Sequence, residues 1–118
     1  MGMDPQPNID RNEVLAEAAL NAASAIGLSQ AQLGQLIGRN RTRLRESIRV
    51  DNKAGEYAVL VVRIYRSLYA LMDGNPAHMK HWMVTHNHGT RGIPRDQMQT
   101  LIGLVEVVNY LDAIRGKV

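Results

Sequence analysis

The 118-residue sequence contains no cysteine. That excludes disulfides and thiol-based zinc fingers, and it removes the commonest catalytic thiol. No apolar run approaches the ~18 residues of a membrane span. The opening "MGMDPQPNID" lacks the charged-then-apolar pattern of a signal peptide. A cytoplasmic chain with no membrane partner is therefore expected. Catalytic signatures are missing too. No nucleophile stands near a histidine–carboxylate pair, no glycine-rich phosphate loop follows a strand, and no HExxH occurs. Asp112 and Glu106 would lie on different faces of one helix. The expectation is a non-enzyme with no catalytic residue and no cofactor. There is no defensible strand, no low-complexity tract and no internal repeat.

What is present is a chain with 45% apolar residues, enough to bury a core. The formal charge of +3 is unevenly spread. Residues 1–38 hold one base against four acids, and residues 67–118 hold five against four. Between them, residues 39–66 hold eight bases against three acids. Such a local basic excess points to a polyanionic partner. Charge alone is equally consistent with a solvated helical face.

The pattern along the chain is all-α. Residues 1–10, with two prolines and a glycine, read as a disordered lead-in. Asp10 or Asn12 caps a helix with Val14, Leu15, Ala18, Ala22 and Ile26 at helical spacing, ended by Gly27. Ser29 caps a second helix that buries Leu33, Leu36 and Ile37, and Gly38 supplies a left-handed turn. Asn40 caps a third, "RTRLRESI", with Leu44 and Ile48 inward. "YAVLVVRIYRSLYALM" is rich in β-branched residues, but its length and the spacing Leu60, Ile64, Leu68, Leu71 favour a buried helix. Tyr57, Tyr65 and Tyr69 would share a flank of it. Pro76 opens "AHMKHWMVT", "HNHGTRG" is a loop, and Pro94 opens "RDQMQTLIG" before the closing "LVEVVNYLDAI".

"LSQAQLGQLIGRNRTRL" has the layout of a helix-turn-helix. A small residue, Gly34, sits where two steep helices would touch, and Gly38 takes the positive φ of the turn. The N-terminal residues of the second helix would reach base edges: Arg39, Asn40, Arg41 and Thr42. Arginine pairs bidentately with guanine and asparagine with adenine. Gln30, Arg43, Arg45 and Arg49 would hold phosphates. The segment resembles the Xre/phage-repressor helix-turn-helix. It departs from that pattern at Arg39, where an apolar residue usually packs under the turn. It departs again at Gly34, which replaces alanine and costs ~1 kcal/mol of helix propensity.

Downstream, "EYAVLVVRIYRSLYALM" and "WMVTHNHGTRGIPRDQMQTLIGLVEVVNYLDAIRGKV" resemble the toxin-binding domain of the MbcA/ParS/Xre antitoxins. Trp82, Thr85, Asn87, Gly92, Pro94, the Gly103-Leu104 pair and the "YLDAIRG" ending match its pattern. Residues His88 to Arg91 replace the apolar residues common before the loop glycine. The resemblance implies a DNA-binding region over residues 11–53 and a helical toxin-binding domain with a C-terminal tail over residues 54–118. It implies a type II antitoxin whose partner is a RES-domain toxin encoded by the adjacent gene, an enzyme that consumes NAD or uses it for ADP-ribosylation. The C-terminal segment would cover the toxin's active-site entrance, and the other half would bind operator DNA and repress the shared operon. A homodimer within a larger toxin–antitoxin complex suits a two-fold operator.

The tail itself reads compatibly. Val105, Val108, Leu111 and Ile114 form an apolar stripe for a core or a partner groove, and Tyr110 and Arg115 are of types enriched at interface hot spots. The residues assigned to the toxin on this resemblance are Tyr110, Leu111, Asp112, Arg115, Gly116, Lys117 and Val118. The rival reading is a free-standing Xre-type regulator whose second half only dimerises. His78, His81, His86 and His88 crowd one stretch with no carboxylate or cysteine among them, so a polar surface loop and no metal are expected. Trp82 reads as a core anchor and the methionines as gap fillers.

Overall fold

The computed structural model describes residues 10–40, 43–44, 46–49 and 51–116. The lead-in expected over residues 1–10 lies outside them except for Asp10. Among the described residues the chain is all-α: α1 (Arg11–Ala25), α2 (Gln30–Ile37), α3 (Lys53–Leu71), α4 (Pro76–Val84), α5 (Pro94–Gln97) and α6 (Leu101–Ile114). A single antiparallel bridge joins Asn87 and Gly92. No helix among these residues is long and apolar enough to cross a membrane.

Asp10, not Asn12, caps α1; its carboxylate accepts from the backbone N–H of Asn12 at 2.9 Å and of Glu13 at 3.3 Å. The face α1 buries is Leu15, Ala16, Ala19, Ala22 and Ala23. Four alanines let α1 lie close against α3, its main partner. The spacing had put Val14 inside, but the buried stripe is rotated and Val14 is 51% exposed. In α2 the Ser29 hydroxyl and the Gln32 side chain form a reciprocal capping box. Gly38 ends α2 at φ 76°, as its position predicts.

Of the third helix expected over residues 41–48, residues 41, 42 and 45 lie outside the described residues, and none of the described ones belongs to an α-helix. Among the described residues 43, 44 and 46–49 the backbone makes turns, with Arg43 N–H on the Asn40 carbonyl and Glu46 N–H on the Arg43 carbonyl. Leu44 and Ile48 are nevertheless buried, as the pattern requires. The reason lies in where the backbone bonds go. Ile48 donates to the Asn12 carbonyl at 3.0 Å, and carbonyls that a helix would use are taken by the Arg39 side chain.

Helix α3 is central and packs on α1, α2 and α6. Asn52 caps it through the Gly55 N–H. Its fully buried apolar residues are Ala58, Val61, Ile64 and Leu68, so Leu60 sits at the edge and Leu71 faces outward. Tyr65 and Tyr69 do share a flank, edge to face at 5.9 Å. Asn75 caps α4, with Pro76 in its first turn. The helix expected from Pro94 through Gly103 stops at Gln97. Thr100 then caps α6 through the Gly103 N–H at 3.1 Å. Gly103 therefore lies inside α6 instead of ending a helix. Residues of both halves, including Leu33, Leu44, Met83, Met98 and Leu104, belong to one apolar cluster.

Candidate functional site

Two surfaces carry the residues singled out above. The first is the segment after α2. Gln30 opens α2 at the surface. The Arg39 guanidinium does not point away from the protein. Its Nη1 donates to the Arg43 and Glu46 carbonyls at 3.3 and 2.8 Å, and its Nη2 donates to the Ser47 carbonyl at 2.7 Å. Bonds of this charge-assisted type are worth ~1.5–3 kcal/mol each. Arg39 thus replaces the apolar residue usual under the turn with a polar staple that holds the loop.

Gly34 belongs to the same device. A Cβ at Gly34 would overlap the Arg39 carbonyl oxygen, and the Arg39 N–H reaches the Gly34 carbonyl at 2.7 Å. The glycine's propensity cost permits this close return of the chain. The two departures from the sequence pattern are one structural solution.

Arg43 pairs with Glu46 at 3.0 Å and Arg49 with Asp51 at 2.9 Å. The Asp51 carboxyl is held below its usual range by the hydrogen bond and charge of Arg49, which is itself raised by the same contacts. All four groups are more than half exposed. Exposed pairs are worth ~0–1 kcal/mol, so a phosphate can replace either acid at little cost. Asn40 accepts from the Arg43 N–H at 3.1 Å. Arg41, Thr42 and Arg45 lie outside the described residues.

The second surface is the α6 end and the loop beneath it. Asn87 organises the loop: its carbonyl side-chain oxygen accepts from Gly89 at 2.7 Å and Thr90 at 3.1 Å, and its N–H bonds the Gly92 carbonyl at 2.8 Å. Gln97 locks it from α5 through the Thr90 carbonyl at 2.5 Å. Tyr110 stacks on Trp82 with 6.5 Å between ring centres and covers Gly89 so closely that a Cβ there would overlap its ring. Leu111 is in the core at 1% exposure. Asp112 is gripped by both arms of Arg63, at 2.6 and 3.3 Å. The Arg115 guanidinium donates to the buried Ser67 hydroxyl at 2.9 Å.

Tyr110, Leu111, Asp112 and Arg115 therefore fix the end of α6 onto α3 and the loop. Gly116 has a positive φ of 73°, and a Cβ placed there would meet nothing within 4 Å. Lys117 and Val118 lie outside the described residues. Arg63, Ser67 and Gln97 escaped the sequence reading, because their partners are distant or in a differently drawn helix. The expected apolar stripe of α6 is split: Val108 and Leu111 are buried, while Val105 and Ile114 are exposed with Leu101 and Ile102. Among the described residues no three histidines or carboxylates stand together as a metal would need. His86 and His88 pack edge to face at 5.5 Å.

This arrangement agrees with comparison to known families. Residues 67–117 match the Antitoxin Xre/MbcA/ParS C-terminal toxin-binding domain. Residues 8–63 match the Antitoxin Xre-like helix-turn-helix domain. The chain belongs to the Xre/MbcA/ParS antitoxin family. A search of curated proteins finds no match, so the assignment rests on these two adjacent domains. The antitoxin's two matched regions meet inside α3, which spans residues 53–71 and carries contacts to both. The toxin-binding-domain and helix-turn-helix-domain matches of this Xre-type antitoxin thus share one helix and one core.

Proposed function

We propose that this antitoxin neutralises a RES-domain toxin that consumes NAD or ADP-ribosylates with it, and that the two are encoded side by side. Residues 54–118 serve the toxin, and residues 11–53 serve the operator of the shared operon. The tail beyond Arg115 covers the toxin's active-site entrance, with Gly116, Lys117 and Val118 making the contact. Tyr110, Leu111, Asp112 and Arg115 set its exit point. The observation that supports this most is the α6 end itself, tied down by two long-range arginine contacts and followed at once by a positive-φ glycine, Gly116. A rigid base with a projecting end loses little freedom on entering a cleft.

The chain itself is no enzyme in this reading, needs no cofactor, and works in the cytoplasm. DNA contact falls to Arg41, Arg43, Arg45 and Arg49, with Gln30, Asn40 and Thr42 beside them. Arg39 acts through the shape of the loop it staples. A homodimer presents two such segments to a two-fold operator. The test is retardation of the operon's promoter duplex across a salt series. Three arginine–phosphate contacts per protomer, from Arg43, Arg45 and Arg49, predict a log–log slope of about −3 per protomer. A chain that co-purifies with no neighbouring gene product and binds the promoter without salt dependence would contradict the proposal.

A further inference from the structure

A groove of about 560 Å³ runs between α1 and α3 and ends at the α6 terminus. On α1 it is lined by Arg11, Val14, Leu15 and Ala18, an i, i+3, i+4, i+7 set along one face. On α3 it is lined by Val59, Val62, Arg63 and Arg66, the same spacing. Arg115 closes it. Its floor is apolar, and two of its valines stand well out in solvent: Val14 is 51% and Val59 48% exposed. Four arginines surround that floor. Only Arg63 has a carboxylate partner, Asp112. Arg115 bonds a neutral hydroxyl, and among the described residues Arg11 and Arg66 make no hydrogen bond or ion pair. The acids of α1, Glu13 and Glu17, line a different depression together with Glu46.

We infer that this groove binds an amphipathic helix of a partner protein, apolar along one stripe and flanked on both sides by aspartate or glutamate. Two helical stripes, each carrying valine beside arginine, match such a helix, whose apolar side chains fill the floor while its carboxylates meet guanidinium forks. Each stripe covers about 10.5 Å of helix, so two to three turns of the occupant suffice. A second copy of this chain, docked groove to groove, would oppose arginine to arginine across a two-fold axis. The charge therefore selects an acidic partner over self-association. Among the described residues, the groove's lining does not extend past Arg115.

The probe is a fluorescein-labelled 15-residue helical peptide with leucines at i, i+3, i+4, i+7 spacing flanked by glutamates. A matched peptide carries glutamine in place of glutamate. Anisotropy with the full chain at low salt should show saturable binding of the glutamate peptide, and binding at least tenfold weaker for the glutamine peptide. Arg11→Glu with Arg66→Glu should weaken the glutamate peptide at least tenfold, with circular dichroism and melting temperature unchanged. Val14→Ser with Val59→Ser should weaken both peptides. Arg91→Glu, an exposed arginine outside the groove, should change nothing. Equal affinity for the two peptides, or unaltered binding by the double arginine variant, overturns the inference. So does loss of duplex DNA affinity in that variant without any peptide binding, which would assign the arginines to phosphates. Self-association of the wild type that the same variant abolishes would assign the groove to a second copy, and would also overturn it.

Discussion

Replacing Gly103 by alanine is expected to lower the melting temperature by about 12 °C, a loss of ~3 kcal/mol at ~4 °C per kcal/mol for a chain of this size. Alanine is the better helix former by ~1 kcal/mol, and Gly103 lies inside α6, so propensity alone predicts the opposite sign. The obstacle is the Gln97 backbone: a Cβ at Gly103 would overlap its carbonyl oxygen. Backbone gives way less readily than a side-chain tip, and overpacking of this kind costs ~1–3 kcal/mol or more. The damage spreads because Gln97 also holds Thr90 and thereby the 87–92 loop. The neighbouring Leu104 is fully buried. The glycine–leucine pair is thus one residue for close approach and one for the core. Differential scanning fluorimetry decides the matter, and a melting temperature equal to or above the parent's contradicts this packing account.

On the proposed function, truncation after Arg115 is expected to abolish protection of cells that express the toxin, with affinity for the operator unchanged. Removing residues 116–118 leaves the Arg115–Ser67 bond and the Arg63–Asp112 pair in place. Helix α6 therefore keeps its seat and only residues 116–118 are lost. Cutting before Arg115 would confuse the two effects by stripping the buried Ser67 hydroxyl of its partner. The reverse variant, Arg41→Ala with Arg45→Ala, should keep protection, weaken operator binding, and reduce its salt slope by about one per protomer, since Arg45 is the phosphate contact of the two. Survival of toxin-expressing cells and promoter retardation, measured on the same two variants, separate the halves. Full rescue by the truncated chain would sink the assignment of neutralisation to the tail.

Local signals were the legible ones. Asp10, Ser29, Gly38 and Pro76 all mark ends that the fold uses, because caps and turns are decided within a few residues. The all-α class followed from periodicity over long windows. What the sequence did not reveal depends on contacts between distant residues. Arg39 looked like a base reader, yet three carbonyls of its own loop take its guanidinium. Leu44 and Ile48 sit inside as their spacing required, but apolar spacing of four does not distinguish a helix from a stapled loop. Val14 looked like core because alanines count as weakly apolar, yet α1 turns its alanine face to α3 and leaves Val14 in the groove. Asp112 and Arg115, nominated for a partner, have their first partners 49 and 48 residues away on α3. No local pattern announces such a pair.

The central claim is that this chain switches off an NAD-directed enzyme. Purified chain titrated into the adjacent gene's RES-domain protein, with NAD loss followed by absorbance or chromatography, tests it directly. The account predicts that NAD consumption falls linearly to background at a fixed molar ratio, and that the chain truncated after Arg115 leaves consumption unaffected. Unchanged NAD turnover in the presence of excess full-length chain would contradict it.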